Sequence, residues 1–140
     1  MVSYFADDLS PFHTPVVKKI SQIDDHDRIY LSILTIYELQ HGIASMSHEM
    51  AVKFYKTKNL MIKHFEILSL SEKGAEIFGI LKAEYIKHTG IVKEAVKRHD
   101  IDLMMASSAI AENAVLVSND RIFTRLKKVC SDFLLEDWTL

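Results

Sequence analysis

A single cysteine, Cys130, stands in 140 residues, so the chain can form no internal disulfide and no metal site built on a cysteine cluster. One lone thiol fits a reducing, cytoplasmic setting. Prolines number two, Pro11 and Pro15, both near the start, and glycines number four. No Pro/Gly-rich linker therefore divides the chain, and no glycine-rich phosphate loop can be assembled. Long apolar runs are also missing. A charge-free stretch such as Ile29 to Tyr37 falls far short of the ~20 residues that a membrane-spanning helix needs, so no membrane role is expected. The first basic residue is Lys18, after Asp7 and Asp8, and the start does not read as a signal peptide. Neither sign of charge dominates. The 19 Asp+Glu against 17 Lys+Arg give a formal net charge of −2, which argues against a protein that grips nucleic acid by bulk charge alone.

What is present is ordinary for a globular domain: 49% hydrophobic and 26% charged residues. At this length one domain over residues 1–140 is expected, and a domain near this size buries roughly 68–70% of its unfolded surface. Val2 to Ala6 reads as a short strand ended by the turn Asp7-Asp8-Leu9-Ser10-Pro11. Thr14 before Pro15 reads as a helix N-cap, with Val16, Val17, Ile20 and Ile23 as its apolar stripe. Ile29 to Leu31 is a candidate edge strand, Thr35 to Ile43 and His48 to His64 are candidate helices, and Phe65 to Leu70 alternates like a half-exposed strand. Ser71 caps a long helix that stops at Gly90, and Ile91 to Arg98 forms a shorter basic one. Asp102 to Asn113 predicts an apolar helix, Ala114 to Ser118 a buried strand, Arg121 to Lys128 a last helix and Phe133 to Leu135 a last strand. Strands that alternate with helices predict an α/β fold, with four or five short, mostly parallel strands and helices on both faces.

In such sheets, ligands bind beyond the carboxyl ends of the strands. Four carboxylates are placed to matter. Asp7 follows the first strand, Asp120 lies just after Ala114 to Ser118, Asp102 opens the helix leading into that strand, and Glu38 falls in the first turn of the helix after Ile29 to Leu31. Each has an ordinary explanation. Asp7 can be a turn residue, Asp102 and Asp120 N-caps, and Thr35-Ile36-Tyr37-Glu38 a T-x-x-E capping box. Jointly they point to a site, because acids set among Ile36, Tyr37, Leu103 and Met104 are costly to leave unpaired. Clustered carboxylates raise one another's pKa values unless a cation neutralises them. Ligands that are all oxygen favour Mg²⁺ or Mn²⁺, ions that activate water at a phosphodiester.

Three blocks carry a resemblance. Leu31 to Ile43 (L-S-I-L-T-I-Y-E-L-Q-H-G-I), Asp102 to Ala109 (D-L-M-M-A-S-S-A) and Leu116 to Phe123 (L-V-S-N-D-R-I-F) resemble, in order and interval, those of the PIN-domain ribonucleases, in particular VapC-type toxins. Leu135-Glu136-Asp137-Trp138 is similar to that family's last strand. The resemblance spans essentially the whole chain. It implies a PIN-like three-layer α/β/α sandwich around a central, mostly parallel sheet of four to five strands. It also implies a Mg²⁺-dependent endoribonuclease, with Mn²⁺ as a substitute, that acts on RNA as the toxin of a VapBC-type pair. Its partners would be a cognate antitoxin and a second copy in a homodimer. Asp7, Glu38, Asp102 and Asp120 would be its catalytic and metal-holding acids, with Asp7 and Asp102 direct ligands and Glu38 and Asp120 direct or acting through water.

The first block departs from that pattern. The family has Asp-Thr-Asn or Asp-Thr-Ser after the first strand, whereas this chain has Ala6-Asp7-Asp8-Leu9-Ser10-Pro11. Asp7 takes the first-acid position most naturally, and reading Asp8-Leu9-Ser10 as Asp-x-Ser is the alternative. The loop would then lack polar groups that orient the first acid. A catalytically impaired PIN-like protein that binds a partner or RNA is accordingly the alternative function.

Other classes fit less well. A receiver domain needs a phosphoacceptor Asp after its third strand, where Ser71-Glu72 stands, and the zincin pattern fails because Val52 lies four residues after His48. The seven histidines lack ligand spacing, and His41, His48 and His64 read as solvated or helix-terminal. Among the basic residues, most form solvated helix faces. Arg98, Arg121 and Arg125 are the candidates for holding a phosphate backbone.

Overall fold

Parallel strands cannot be joined by a tight turn and need a crossover, usually helical. This chain supplies such a crossover twice. A computed structural model describes Val2, Phe5 and residues 7–140, and the chain divides into two compact units, Met1–Ser69 with Thr139–Leu140 and Leu70–Trp138.

The first unit runs α1 (His13–Ser21), β1 (Tyr30–Ser32), α2 (Ile33–Ala44), α3 (His48–His64) and β2 (Glu66–Leu68). β1 and β2 are parallel, with Tyr30 opposite Glu66 and Ser32 opposite Leu68. Val16, Leu31, Ile43 and Met61 are buried, each from a different element. The start of α1 differs from expectation. Phe12, not Thr14, is its N-cap, reached through turn hydrogen bonds from Ser10 N–H to the Asp7 carbonyl and from His13 N–H to the Ser10 carbonyl, both 3.0 Å. Pro15 then sits within the first turn, where a missing N–H costs nothing because those donors have no partner in the helix.

The start of α2 differs in a way that matters more. Ser32 is the N-cap, and its Oγ accepts from Leu34 N–H at 3.2 Å. Glu38 therefore lies in the second turn rather than the first. The Thr35–Glu38 pattern does not form a capping box.

The second unit runs α4 (Glu72–Thr89), α5 (Lys93–Val96), a 3₁₀ turn (Lys97–His99), α6 (Asp100–Ala111), β3 (Leu116–Val117), α7 (Arg121–Val129) and β4 (Leu135–Glu136). Both ends of α4 are as expected. Ser71 Oγ accepts from Gly74 N–H at 3.0 Å, and Gly90 closes the helix at φ 65°, the left-handed conformation that glycine adopts without strain. β3 and β4 pair in parallel across α7, Leu116 opposite Leu135 and Val117 opposite Glu136. Tyr85, Leu103, Leu126 and Phe133 anchor the core of this unit.

α4 lies directly on α6, and small residues allow the approach. A Cβ added at Gly74 would stand 3.8 Å from Ser108 Cα and 3.2 Å from Ser71 Oγ. Ser107 and Ser108 are buried but not orphaned, since both hydroxyls donate to the Met104 carbonyl, at 3.0 and 2.8 Å. Two lysines of α4 reach the two ends of α6. Lys73 Nζ donates to the Ala111 carbonyl at 2.8 Å, and Lys82 Nζ to Asp100 Oδ1 at 2.6 Å.

Helices alternate with strands and the pairing is parallel, as the sequence implies. The expected four- to five-stranded sheet is, among the described residues, two separate two-stranded ladders, one in each unit. The ladders are short because the apolar runs pass quickly into helix caps. Leu68 is followed within three residues by the cap Ser71, and Val117 within three by the cap Asp120. The strand expected over Val2 to Ala6 lies largely outside the described residues, and the two described ones, Val2 and Phe5, have helical backbone.

Candidate active site

Two of the four acids come together in the second unit. Asp120 ends the short loop after β3 and is the N-cap of α7, its Oδ1 accepting from Ile122 N–H at 3.1 Å. That is the capping role expected for it. Asp102 was expected as an N-cap too, but α6 starts at Asp100 with His99 as its cap residue, so Asp102 is the third helical residue. The reason is local: the 3₁₀ turn Lys97–His99 leads straight into helix, so the first turn is already wound when Asp102 is reached. Both carboxylates thus stand at helix N-termini, where free N–H groups and the helix dipole favour negative charge.

Asp102 is held at some cost. Its side chain is 28% exposed, and burial pushes its carboxyl above the usual carboxylate range. The charge of Asp120 pushes in the same direction, while His99, with Nδ1 3.6 Å from Asp102 Oδ2, opposes both without cancelling them. His99 is in turn set edge-on to the buried Tyr85 ring, at 6.2 Å between centroids. A half-buried acid that a neighbouring acid's charge pushes further up suits a site that works with a cation. Their oxygens are hard ligands of the kind Mg²⁺ and Mn²⁺ take.

The other two acids belong to the first unit. Asp7 follows the start of the chain in a turn, with Oδ1 accepting from Leu9 N–H at 3.1 Å. Asp8 is paired with Lys53 Nζ at 2.9 Å. The hydrogen bond and charge of Lys53 hold the Asp8 carboxyl below its usual range, and Asp8 in return raises the Lys53 ammonium. Glu38 is exposed on the second turn of α2. Among the described residues, no group of three or more His, Cys, Asp or Glu is arranged to hold a metal ion. Within the second unit, Asp120 lies close enough to Asp102 for its charge to act on it.

Arg98, Arg121 and Arg125 are exposed in the second unit, Arg121 directly after Asp120. The recess of about 120 Å³ between α4 and α6 is apolar, lined by Leu70, Gly74, Phe78, Met104 and Ser108, and offers phosphate chemistry no charged group. Three residues beside the pair were not singled out from sequence: His99, Asp100 and Lys82. His99 was legible in principle, three positions before Asp102 and so on the same helical face. Lys82 was not, because nothing local links it to Asp100. No helix among the described residues is long and apolar enough to cross a membrane.

Comparison with known proteins adds the family. The family model described as PIN domain matches residues 1–129. Ribonuclease VapC2 of Rickettsia felis (strain ATCC VR-1525 / URRWXCal2) is 28% identical over 114 residues, covering 81% of this chain and 76% of that protein. Among solved structures, VapBC2 from Rickettsia felis bound to a DNA fragment from their promoter is similar at a TM-score of 0.73 and 24% identity, over 98% of this chain and 92% of that chain. VapBC-1 from nontypeable Haemophilus influenzae gives 0.72 and 24%, over 99% and 93%. FitAB bound to the IR36 DNA fragment gives 0.74 and 18%, also over 99% and 93%. Likeness at these identities establishes the fold, and the α/β PIN-like architecture expected from the sequence is borne out.

Proposed function

Because the chain belongs to the PIN domain family, we propose that it is a metal-dependent endoribonuclease of the VapC type, hydrolysing RNA phosphodiester bonds as the toxin of a toxin–antitoxin pair. Likeness to Ribonuclease VapC2 supports the activity, and likeness to the VapBC and FitAB assemblies supports a cognate antitoxin as partner. The family match runs unbroken over residues 1–129, which supports treating the two units as parts of one PIN-like domain over residues 1–140. The working form is a homodimer.

From the resemblance to the family, we assign the cation, Mg²⁺ or Mn²⁺, to Asp7, Glu38, Asp102 and Asp120. Asp7 is the first acid rather than Asp8, whose carboxylate Lys53 already neutralises. The observation that carries the reading is the Asp102–Asp120 pair: one half-buried carboxyl pushed up by burial and by its neighbour's charge, which a bound cation would relieve. When bound, the cation supplies Lewis acidity that activates water and neutralises developing charge on phosphate. Asp102 and Asp120 bind and orient at the two helix N-termini. His99 steadies Asp102 from the side, and Arg98, Arg121 and Arg125 hold the RNA backbone.

The test is RNA cleavage by the purified chain with Mg²⁺, Mn²⁺ or EDTA, parent against Asp102→Asn. Cleavage that needs the metal and is lost in the variant is expected, whereas equal cleavage by both overturns the assignment. One observation favours a second reading. Asp7 serves the local turn through Leu9 N–H, in keeping with an altered first block and an impaired protein that binds a partner or RNA. That reading stands if the parent never cleaves RNA but gains cleavage when Asp-Thr-Asn is placed after Ala6.

A further inference from the structure

Asp100 and Asp102 lie two positions apart on α6, so their side chains leave the helix roughly 200° apart. Fixing the direction of one fixes that of the other. Asp100 is fixed: its Oδ1 accepts from Lys82 Nζ at 2.6 Å, with the side chains only 32% and 25% exposed. Lys82 is itself held, its ammonium lying 5.3 Å from the centroid of the Phe78 ring one turn back on α4. The far end of α6 is tied to the same helix, where Lys73 donates to the Ala111 carbonyl.

We propose that Lys82 is a positioning residue. By clamping Asp100 to α4, it sets the rotation of the first turn of α6 and so turns Asp102 toward Asp120. The lysine also neutralises the acid that the site does not use, which leaves the N-terminal turn of α6 to one working carboxylate. This rests on the assignment of Asp102 as a metal-holding acid, and it adds the element that aims it.

The experiment uses the full chain and Mn²⁺ as probe, with two readouts: RNA cleavage, and paramagnetic broadening of the amide signals at the starts of α6 and α7. Lys82→Met and Asp100→Asn should each weaken Mn²⁺ binding by about 10-fold to 100-fold, the range for loss of groups that orient metal ligands. kcat should fall in parallel, with KM for RNA unchanged. Lys82→Arg should restore both.

The double variant Lys82→Met/Asp100→Asn separates positioning from charge balance. Its thermal midpoint should recover toward the parent while Mn²⁺ affinity stays low. Lys73→Met, which cuts the tie at the other end of α6, should lower the thermal midpoint and leave Mn²⁺ affinity at the parent value. Equal loss of affinity in Lys73→Met and Lys82→Met would reduce the role of Lys82 to general packing and overturn the proposal. Parental affinity in Lys82→Met, with affinity lost in Asp102→Asn, would overturn it alone. Broadening that is the same in parent and Asp102→Asn would instead overturn the metal assignment on which it rests.

Discussion

The turn at Asp7-Asp8 and the helix starts at Asp102 and Asp120 use the same side chain to opposite ends. In the turn, each acid is satisfied where it stands. Asp7 accepts a backbone N–H, and Asp8 meets Lys53, which holds its carboxyl below the usual range. At Asp102, burial and Asp120 drive the carboxyl the other way. Acids that shape a loop are made comfortable by their surroundings. An acid kept half-buried within reach of another acid's charge, as Asp102 is, is tolerated at some expense of stability, and such expense is what functional sites show.

The sharpest way to break this contrast is Asp102→Asn. RNA cleavage should fall by at least about 100-fold, since even groups that only orient a metal ligand cost 10–100-fold. Calorimetry should meanwhile show a variant no less stable than the parent at neutral pH. A variant that loses stability along with activity would place Asp102 among the structural acids. Asp120→Ala is expected to cut cleavage and also to lose the α7 cap, worth roughly 1 kcal/mol in chemical denaturation. Asp120→Asn should keep most of the cap and still cut cleavage.

A smaller effect is carried by pH. The Asp102 carboxyl titrates higher in the folded chain than in the unfolded one, so its favourable contribution is full below the ordinary carboxylate range and is lost as pH rises through its raised value. The stability advantage of Asp102→Asn should therefore be absent in strong acid and grow to a plateau toward neutral pH. Asp8 has the opposite sign. Its contribution is present above the ordinary range and is lost as pH falls through its lowered value. Because the Asp8–Lys53 pair is exposed, Asp8→Asn should barely move the melting temperature and leave cleavage unchanged. A clear loss of cleavage there would make Asp8 the first acid in place of Asp7.

Where a residue's role is set by its near neighbours along the chain, the sequence reports it. The Asp120 cap, the Ser71 cap and the Gly90 stop are all such cases, because each depends on two or three adjacent residues. Glu38 shows how the same logic misleads. Thr35-x-x-Glu38 has the form of a capping box, but Ser32 begins the helix earlier and takes the N–H that matters. Asp102 was displaced from the cap for a similar reason, the 3₁₀ turn before it having no clear signature. The partnership of Lys82 with Asp100 joins two helices and has no local signal at all. The three acidic blocks could be located from the sequence, but what aims Asp102 could not.

The two parallel ladders also imply an order of assembly. β1 can meet β2 only after α2 and α3 have been laid between them, whereas β3 meets β4 across α7 alone. The first closure spans a segment about twice as long, which costs about 0.6 kcal/mol more in chain entropy. The ladder beside Asp120 is therefore the easier to close, and the chain can gather its second unit while the first is still searching.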